Sequence, residues 1–435
     1  MKVVAVIPVK STSSRIKSKN IRMLCNKPLF LHTLDKLLKI DTIDEVWIDT
    51  DDHNIISMAN DYGYEEFHYF IRDKRYATNA TDGNKLLENE IDNIPNADIY
   101  VQVLCTSPFI KEESIRECVR LLRSGETTSV VGCAKEKYYL WSEGMPAYDI
   151  NNIPNSNTLD DTVIESMSIY GITKDEFNKH NMRIGENPYL LPLDPEEFID
   201  INYEKDFKFA EKIANYNHIK EQEVYDMIKI KLNSCIISDI LNELECEGRV
   251  LKGFKLNMNE SKIFGRARPI QIRKLEEGED INDIYKCLGS YESVNYGDVI
   301  FVNNTIDGKA YFGDLNATIS ISKGAQGTIV NGYTRDINRT IELNFPVCFK
   351  NNTCDDVKGC GTLDYYDRPI TVDDVTIHVN DLIFADIDGV IAIPRKYEKS
   401  VLEKCKKVIS DEAGIANSII LGMDIDTVIR TFGAF

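Results

Sequence analysis

Val3-Val4-Ala5-Val6-Ile7-Pro8-Val9-Lys10-Ser11-Thr12-Ser13-Ser14-Arg15-Ile16-Lys17-Ser18-Lys19-Asn20 opens with an unbroken apolar run that turns at once into a basic, hydroxyl-rich loop. A short continuous apolar run bounded by turn residues is the pattern of a strand covered on both faces, as parallel sheets require. The same texture returns at 46–49, 99–104 and 129–133, and amphipathic stretches between these runs predict helices over 29–38, 54–62, 82–91 and 112–122. Strands alternating with helices predict an α/β domain with a mostly parallel sheet, whose ligands sit beyond the carboxyl ends of the strands. The stretch 141–159, rich in Asn, Pro and Ser, has no periodicity and reads as a loop flanking the site.

The loop after the first strand is the first candidate site. Six basic residues and no acidic one fall between Lys10 and Lys27, in a chain whose net charge is −19. Small hydroxylated residues let backbone N–H groups approach a phosphate, and Lys and Arg supply charge and planar forks for a polyphosphate. No GxxxxGK[ST] motif is present, so this is not a Walker A loop. Composition alone equally allows a solvated basic turn.

A length of 435 residues, 43% hydrophobic and 28% charged, predicts a globular chain of two or three domains rather than a disordered or fibrous one. No apolar run approaches the ~18 residues of a membrane helix, and no signal-peptide pattern opens the chain, so a cytoplasmic protein is expected. The 11 cysteines are scattered without a CxxC pair and read as free, mostly buried thiols. Strong acidity argues against nucleic acid or an anionic membrane as partner, because phosphate surfaces need a basic face.

The texture changes after Tyr203. A helical pattern over 204–215 resumes at 221–247 beyond a polar break at 216–220, which predicts a first domain over 1–215, a helical linker over 216–233 and a second domain over 234–435. In the second domain, strands are expected at 262–273, 298–302, 327–330, 346–350 and 382–385, with a helical tail from Lys396.

The first half resembles the acylneuraminate cytidylyltransferases and their relatives that activate other 2-keto-3-deoxy sugar acids. The residues that carry the likeness are Ile7 to Ile21, Asn26-Lys27-Pro28-Leu29, Thr50-Asp51-Asp52 and Gln102-Val103-Leu104-Cys105-Thr106-Ser107-Pro108, in the family's order over residues 1 to 215. The resemblance implies a Rossmann-like nucleotidyltransferase fold in which Lys10, Ser13, Arg15 and Asn20 hold the phosphates and ribose of CTP and Gln102 reads the cytosine edge. It implies catalytic roles for Lys10 and Arg15, and Asp200 as a ligand of Mg2+ or another divalent cation. The family's Asp-Ile-Asp is here Asp200-Ile201-Asn202, and its paired glycines are Ser11 and Thr12. An amide in place of the second carboxylate offers a neutral oxygen to a hard cation, so metal affinity should fall.

In the second half, Phe312-Gly313-Asp314-Leu315 opens a predicted helix, and Arg335-Asp336 follows a predicted strand, with twenty residues between Asp314 and Arg335. That separation fits one helix and one strand, so both ends are able to return to one sheet edge. Carboxylates with an arginine suit a metal-bound carboxylate substrate, and an Asp/Arg salt bridge at a helix start is the other reading. The Gly-Asp-Leu…Gly-x-x-Arg-Asp frame, with Lys323-Gly324-Ala325-Gln326-Gly327 and Asp386 to Val390, resembles the 4-hydroxy-4-methyl-2-oxoglutarate aldolases and the related regulators of ribonuclease activity A over residues 225 to 420. This resemblance implies an α/β swivelling-type (RraA-like) domain. Asp336 would ligate a divalent ion, Arg335 would bind the carboxylate of a pyruvate-type 2-keto acid, Asp314 would orient metal-bound water, and Gly313 and Leu315 would flank the substrate. It also implies a homo-oligomer whose sites take an acidic residue from a neighbour's C-terminal segment, Glu412 being one candidate.

Together these readings predict a bifunctional enzyme of sugar-acid metabolism that joins CTP to a 2-keto-3-deoxy sugar acid and carries an aldolase-like half. The alternatives are a degenerate nucleotide-binding scaffold with a protein-binding regulator domain, or a chain in which only the lyase half is active.

Overall fold

The computed structural model describes residues 1–78, 80–420, 423, 424, 427 and 430, with the side chains of 410–418 left aside. Glu412 therefore lies outside the described side chains. The chain forms two compact units, Met1–Met58 with Glu65–Ala214, and Ala59–Tyr64 with Asn215–Phe435.

In the first unit, β1 (Val3–Val9), α1 (Leu29–Leu37), β2 (Glu45–Thr50), α2 (His53–Asp61), β3 (His68–Ile71), α3 (Gly83–Asn93), β4 (Ile99–Val103), α4 (Glu112–Ser124), β5 (Ser129–Glu136), β6 (Thr162–Thr173), α5 (Lys174–His180) and β7 (Tyr189–Pro192) follow in sequence. The seven strands pair in the order β7-β5-β6-β4-β1-β2-β3. β1 runs parallel to β2 and β4, β2 to β3, and β5 to β7. β6 is antiparallel to both its neighbours. β1 is buried along almost its whole length, as its apolar run requires. β6 escapes a reading by periodicity because it changes character midway: Thr162 to Glu165 alternate at the rim, whereas Ser168 to Ile172 are all buried. The stretch 141–159 holds only a two-residue pairing and a short turn of 3-10 helix.

The expected break at 216–220 is absent, since α6 runs unbroken over Glu204–Lys229. Tyr216 to Lys220 contain neither Gly nor Pro, and polarity alone does not interrupt a helix. The ammonium of Lys220 lies over the Tyr216 ring and pairs with Glu223 one turn on.

The second unit continues with α7 (Ser234–Glu243), β8 (Val250–Leu251), β9 (Lys255–Leu256), β10 (Ile263–Lys274), β11 (Val299–Asn304), β12 (Ala310–Phe312), α8 (Asp314–Lys323), β13 (Gly327–Thr334), α9 (Ile337–Glu342), β14 (Val347–Asn352), β15 (Gly361–Tyr366), β16 (Leu382–Ala385), β17 (Val390–Ile393) and α10 (Arg395–Ile420). Its sheet has ten strands, with β8-β17-β16-β10-β11-β13-β14-β9 in line, β12 paired to β13 and β15 paired to β10. Successive residues of a strand point to opposite faces, so β11 feeds two cores. Val299 and Phe301 pack with Ile263 and Ile329, and Ile300 and Val302 pack with Val330, Phe312 and Ala317 of α8. Among the described residues, no helix is long and apolar enough to cross a membrane.

Candidate functional site

Val9 and Thr50 are paired at the parallel ends of β1 and β2, so the loops leaving both strands start side by side. Ser11 joins them: its backbone N–H and its hydroxyl donate to the two carboxylate oxygens of Asp51 at 2.7 and 2.8 Å. Asn20 closes the same loop by donating from Nδ2 to the carbonyl of Lys10 at 2.9 Å, while its buried Oδ1 has no hydrogen-bond partner. Ser13 is half-buried and Arg15 exposed, its guanidinium 5.7 Å from the centroid of the Tyr203 ring.

Two residues between these cations fix the loop. Ile16 turns inward among Leu24, Ile201 and Phe207. Lys19, only 7% exposed, donates from Nζ to the carbonyl of Ile201 at 2.7 Å. Burial pulls the Lys19 ammonium below its ordinary pKa, and the nearby Asp200 carboxylate acts against that shift. Ile201 in turn donates its N–H to the carbonyl of Thr106, just beyond β4. The basic loop, the end of β4 and the Asp200-Ile201-Asn202 segment are thus one assembly at the carboxyl edge of the sheet. Asp206 holds the start of α6 by accepting from the N–H groups of Asn202 and Tyr203 at 3.1 and 2.8 Å. Asn202 donates from its side-chain amide to Asp200. A cavity of about 460 Å³ opens here between Asp200, Lys205, Phe198 and Phe209.

Gln102 belongs to a different cluster of the same unit. It is 1% exposed, donates from Nε2 to the Glu90 carboxyl at 2.9 and 3.0 Å, and accepts at Oε1 from Arg183 at 3.3 Å. Beneath it, Arg72 donates to Asp49 at 2.7 Å. Burial pushes the carboxyl of Asp49 up to about 6 and that of Glu90 well above the usual range.

The site of the second unit follows from one register. β12 and β13 are parallel, with Phe312 opposite Thr334, so Gly313-Asp314 and Arg335-Asp336 leave the sheet together. Arg335 N–H donates to the carbonyl of Phe312 at 2.9 Å. Asp336 takes the left-handed backbone conformation, with φ of 56°, and turns its carboxylate back to the start of α8, where the N–H of Asp314 approaches at 3.4 Å. Gly313 leaves room for that carboxylate, since a Cβ there would stand 2.6 Å from Asp336 Oδ2. Arg335 lies 3.4 Å from Asp336 and 2.6 Å from Asp356. Leu315 is 72% exposed on the first turn of α8. Asp355 and Asp356 pair with Lys309 and Arg335.

Glu90, Arg183 and Asp356 enter these sites without having been named as site residues from sequence, and are brought in by distant parts of the chain. Lys19 and Asp51 had a signal, their places in the basic run and in Thr50-Asp51-Asp52, but no role was given to either. Among the described residues, no three His, Cys, Asp or Glu gather as a metal cluster. The carboxylates considered for an ion are Asp200 in the first site and Asp336 in the second. Mg2+ is ordinarily held by one or two carboxylates together with water and substrate oxygens, and both donor sets fit that requirement.

A family model described as Aldolase/RraA matches residues 234–392, and one described as Cytidylyltransferase matches residues 4–171. A putative 4-hydroxy-4-methyl-2-oxoglutarate aldolase of Halalkalibacterium halodurans is 32% identical over 177 residues, which cover 40% of this chain and 79% of that protein. The N-acylneuraminate cytidylyltransferase of Escherichia coli is 23% identical over 247 residues, 53% of this chain and 57% of its own length. The CMP-N,N'-diacetyllegionaminic acid synthase of Legionella pneumophila is 30% identical over 125 residues, 28% of this chain and 53% of its own. The chain therefore spans little more than half the length of these two cytidylyltransferase relatives.

Proposed function

Because this chain belongs to the Aldolase/RraA family through its second half and carries a cytidylyltransferase region in its first, we propose that it is a bifunctional enzyme of sugar-acid metabolism. The first half joins CMP to a 2-keto-3-deoxy sugar acid at the expense of CTP, and the second cleaves or forms a 2-keto acid of related structure. The observation that carries the first activity is the bond from Lys19 to the carbonyl of Ile201. It ties the cationic loop to the Asp200 segment, so that positive charge and a carboxylate face one space.

In this reading the anomeric hydroxyl of the sugar acid attacks the α-phosphorus of CTP, and pyrophosphate leaves. Lys10, Arg15 and Ser13 hold the phosphates and oppose the charge that grows on them. The unpartnered Oδ1 of Asn20 is an acceptor suited to a ribose hydroxyl. Gln102 faces the base. Asp200 would hold Mg2+ or a similar divalent ion, which when bound supplies charge neutralisation at the phosphates.

In the second half, Arg335 forks the carboxylate of a pyruvate-type acid, a role for which Asp356 now stands in as the anion. Asp336 would hold a divalent ion, which when bound stabilises the enolate form of the acid. Asp314 orients water for proton transfer, and Gly313 and Leu315 border the substrate. A homo-oligomer is part of this reading.

The test is pyrophosphate release by the full-length protein with CTP, Mg2+ and a panel of 2-keto-3-deoxy sugar acids, beside pyruvate release from the same acids without CTP. Release in both assays is expected. Absence of pyrophosphate with every acid would favour the scaffold reading of the first half, to which the hydrogen bond from the Asn202 side-chain amide to Asp200 lends weight. Absence of pyruvate as well would leave a binding protein.

A further inference from the structure

We propose that the second half reads the hydroxyl groups of its substrate in a cavity at the carboxyl ends of β11, β13 and β14, and so favours 2-keto acids with a polyhydroxylated tail over short ones. The inference rests on the lyase reading, in which Arg335 holds the acid's carboxylate.

β11, β13 and β14 are parallel neighbours, and ligands of such sheets sit beyond the carboxyl ends of the strands. A cavity of about 250 Å³ opens there, lined by Asn331 and Tyr333 of β13, Asp307 of the loop after β11, and Lys350 of β14. Gly332 lies between Asn331 and Tyr333 with φ of 139°, and a Cβ on it would stand 2.5 Å from the Asn304 carbonyl oxygen, so the floor there is bare backbone.

The polarity of this wall is set from inside the sheet. An amide side chain has a donor end and an acceptor end of nearly equal shape, whereas a backbone carbonyl only accepts. Gln271 gives Nε2 to the carbonyls of Ile272 and Asn303 at 3.0 and 3.3 Å, which leaves its Oε1 for Asn303. Asn303, 5% exposed, donates from Nδ2 to that oxygen at 2.8 Å and to the Thr371 carbonyl at 3.2 Å. Its own Oδ1 then accepts from Nδ2 of Asn331 at 2.7 Å. The three amides therefore point one way, and Asn331, last in the row, has its donor spent and its carbonyl oxygen left for the cavity. Turning one of them over would set N–H against N–H or oxygen against oxygen in the buried part of the row, which is costly.

Asp307 adds a second acceptor. One of its carboxylate oxygens takes the Tyr333 hydroxyl at 2.9 Å, and the other makes no hydrogen bond among the described residues. Lys350 adds no free cation, because both oxygens of Asp373 hold its ammonium at 2.8 Å. Acceptors without a free cation repel phosphate and carboxylate groups and suit hydroxyl donors beside the Tyr333 ring. β13 leads on to Arg335, which follows Tyr333 by two residues, about 7 Å of extended chain. An acid held by Arg335 has its neutral, hydroxylated carbons within reach of the cavity and its anion outside.

The experiment compares pyruvate release by the full-length protein from 2-keto-3-deoxy sugar acids with release from 4-hydroxy-2-oxopentanoate, which has the same scissile bond and a methyl group in place of the hydroxylated tail. Wild type, Asn331→Leu and Asp307→Ala are assayed side by side. Wild-type kcat/KM should favour a sugar acid by about tenfold or more, and each variant should lose about five- to tenfold of that preference, the worth of one hydrogen bond. Asp307 is exposed in a loop, so Asp307→Ala folds even if Asn331→Leu does not. Unchanged preference in Asp307→Ala, or wild-type protein that cleaves the short acid at least as well as every sugar acid, would overturn the inference and spare the lyase reading. Pyruvate from none of these acids would remove both.

Discussion

Replacing Asn202 by aspartate tests the Asp200 segment as a cation site. Asn202 now donates a hydrogen bond from its amide to Asp200; the variant puts a second carboxylate where the donor stood. Two unit charges about 4 Å apart repel by about 1 kcal/mol in bulk water and by about 4 kcal/mol at an effective dielectric near 20. Both side chains are half-buried, and Lys19 lies near enough to Asp200 to feel its charge, so the cost falls toward the lower value. The lost hydrogen bond adds about 1 kcal/mol. Without divalent ions, Asn202→Asp should therefore melt about 4–8 °C below wild type, at ~2–4 °C per kcal/mol for a unit of this size. With Mg2+ the sign reverses, because a paired carboxylate is a better ligand set than one carboxylate and an amide. Free Mg2+ at about a hundred times its Kd returns ~2.7 kcal/mol, enough to erase the deficit. The assay is thermal unfolding of both proteins with and without Mg2+ at constant ionic strength, which separates binding from screening. If Mg2+ raises the melting temperature of Asn202→Asp no more than that of wild type, the segment is not a cation site.

Two further perturbations address the other clusters. Gly313 has an extended backbone, with φ of −148°, so Gly313→Ala carries no conformational penalty, yet its Cβ would lie 2.6 Å from Asp336 Oδ2 and displace that carboxylate. Stability should change by under about 1 kcal/mol while pyruvate release falls about tenfold or more; an unaffected rate would take Asp336 out of the reaction centre. Burial raises the Asp49 carboxyl from 3.8 to about 6, worth about 3 kcal/mol, and raises Glu90 further. Between the unfolded and folded values the native state holds more protons than the unfolded chain, so stability should fall as pH rises from about 4 through 6 and beyond. Urea unfolding across pH 4 to 8 reads that slope, and Glu90→Gln should flatten it; an equal slope in the variant would clear this pair of responsibility.

Some of these features were legible in the residues alone, for reasons that differ from site to site. β1 is readable because its apolar run admits one buried strand and little else. The meeting of Asp314 with Arg335-Asp336 is readable because the intervening residues are one helix and one strand, and parallel pairing of β12 with β13 then brings both ends to the same edge. Gln102 is different. Strand alternation says which face it shares, but not that Glu90 on α3 and Arg183 beyond α5 close over it. Asp356 is silent for the same reason, since its carboxylate is defined by a partner twenty-one residues earlier in the chain. Ile16 and Lys19 sit among solvent-facing cations, and only the fold decides that these two turn inward while Arg15 stays out. Local pattern thus reports elements and their neighbours in sequence, whereas long-range closure chooses which polar residues are buried.

The two proposed chemistries act on the same carbon in exclusive states. Carbon–carbon cleavage needs the open-chain sugar acid, whose keto carbon carries the carbonyl that becomes the pyruvate enolate. Cytidylyl transfer uses the closed ring, in which that carbon bears the anomeric hydroxyl, and seals it as a phosphate ester. The CMP derivative therefore has no carbonyl for the second half to act on, and transfer in the first half withdraws its product from cleavage. Both halves must also capture an anion with a chain whose net charge is −19, so the long-range field repels the substrate and gives no help to encounter. Capture falls to local cations: Lys10 and Arg15 on the basic loop, and Arg335, already bound by a carboxylate from Asp356, beside Asp336. An acid that enters the second site must displace that internal carboxylate, which makes a planar carboxylate presented to the guanidinium fork the part of the substrate this half can least do without.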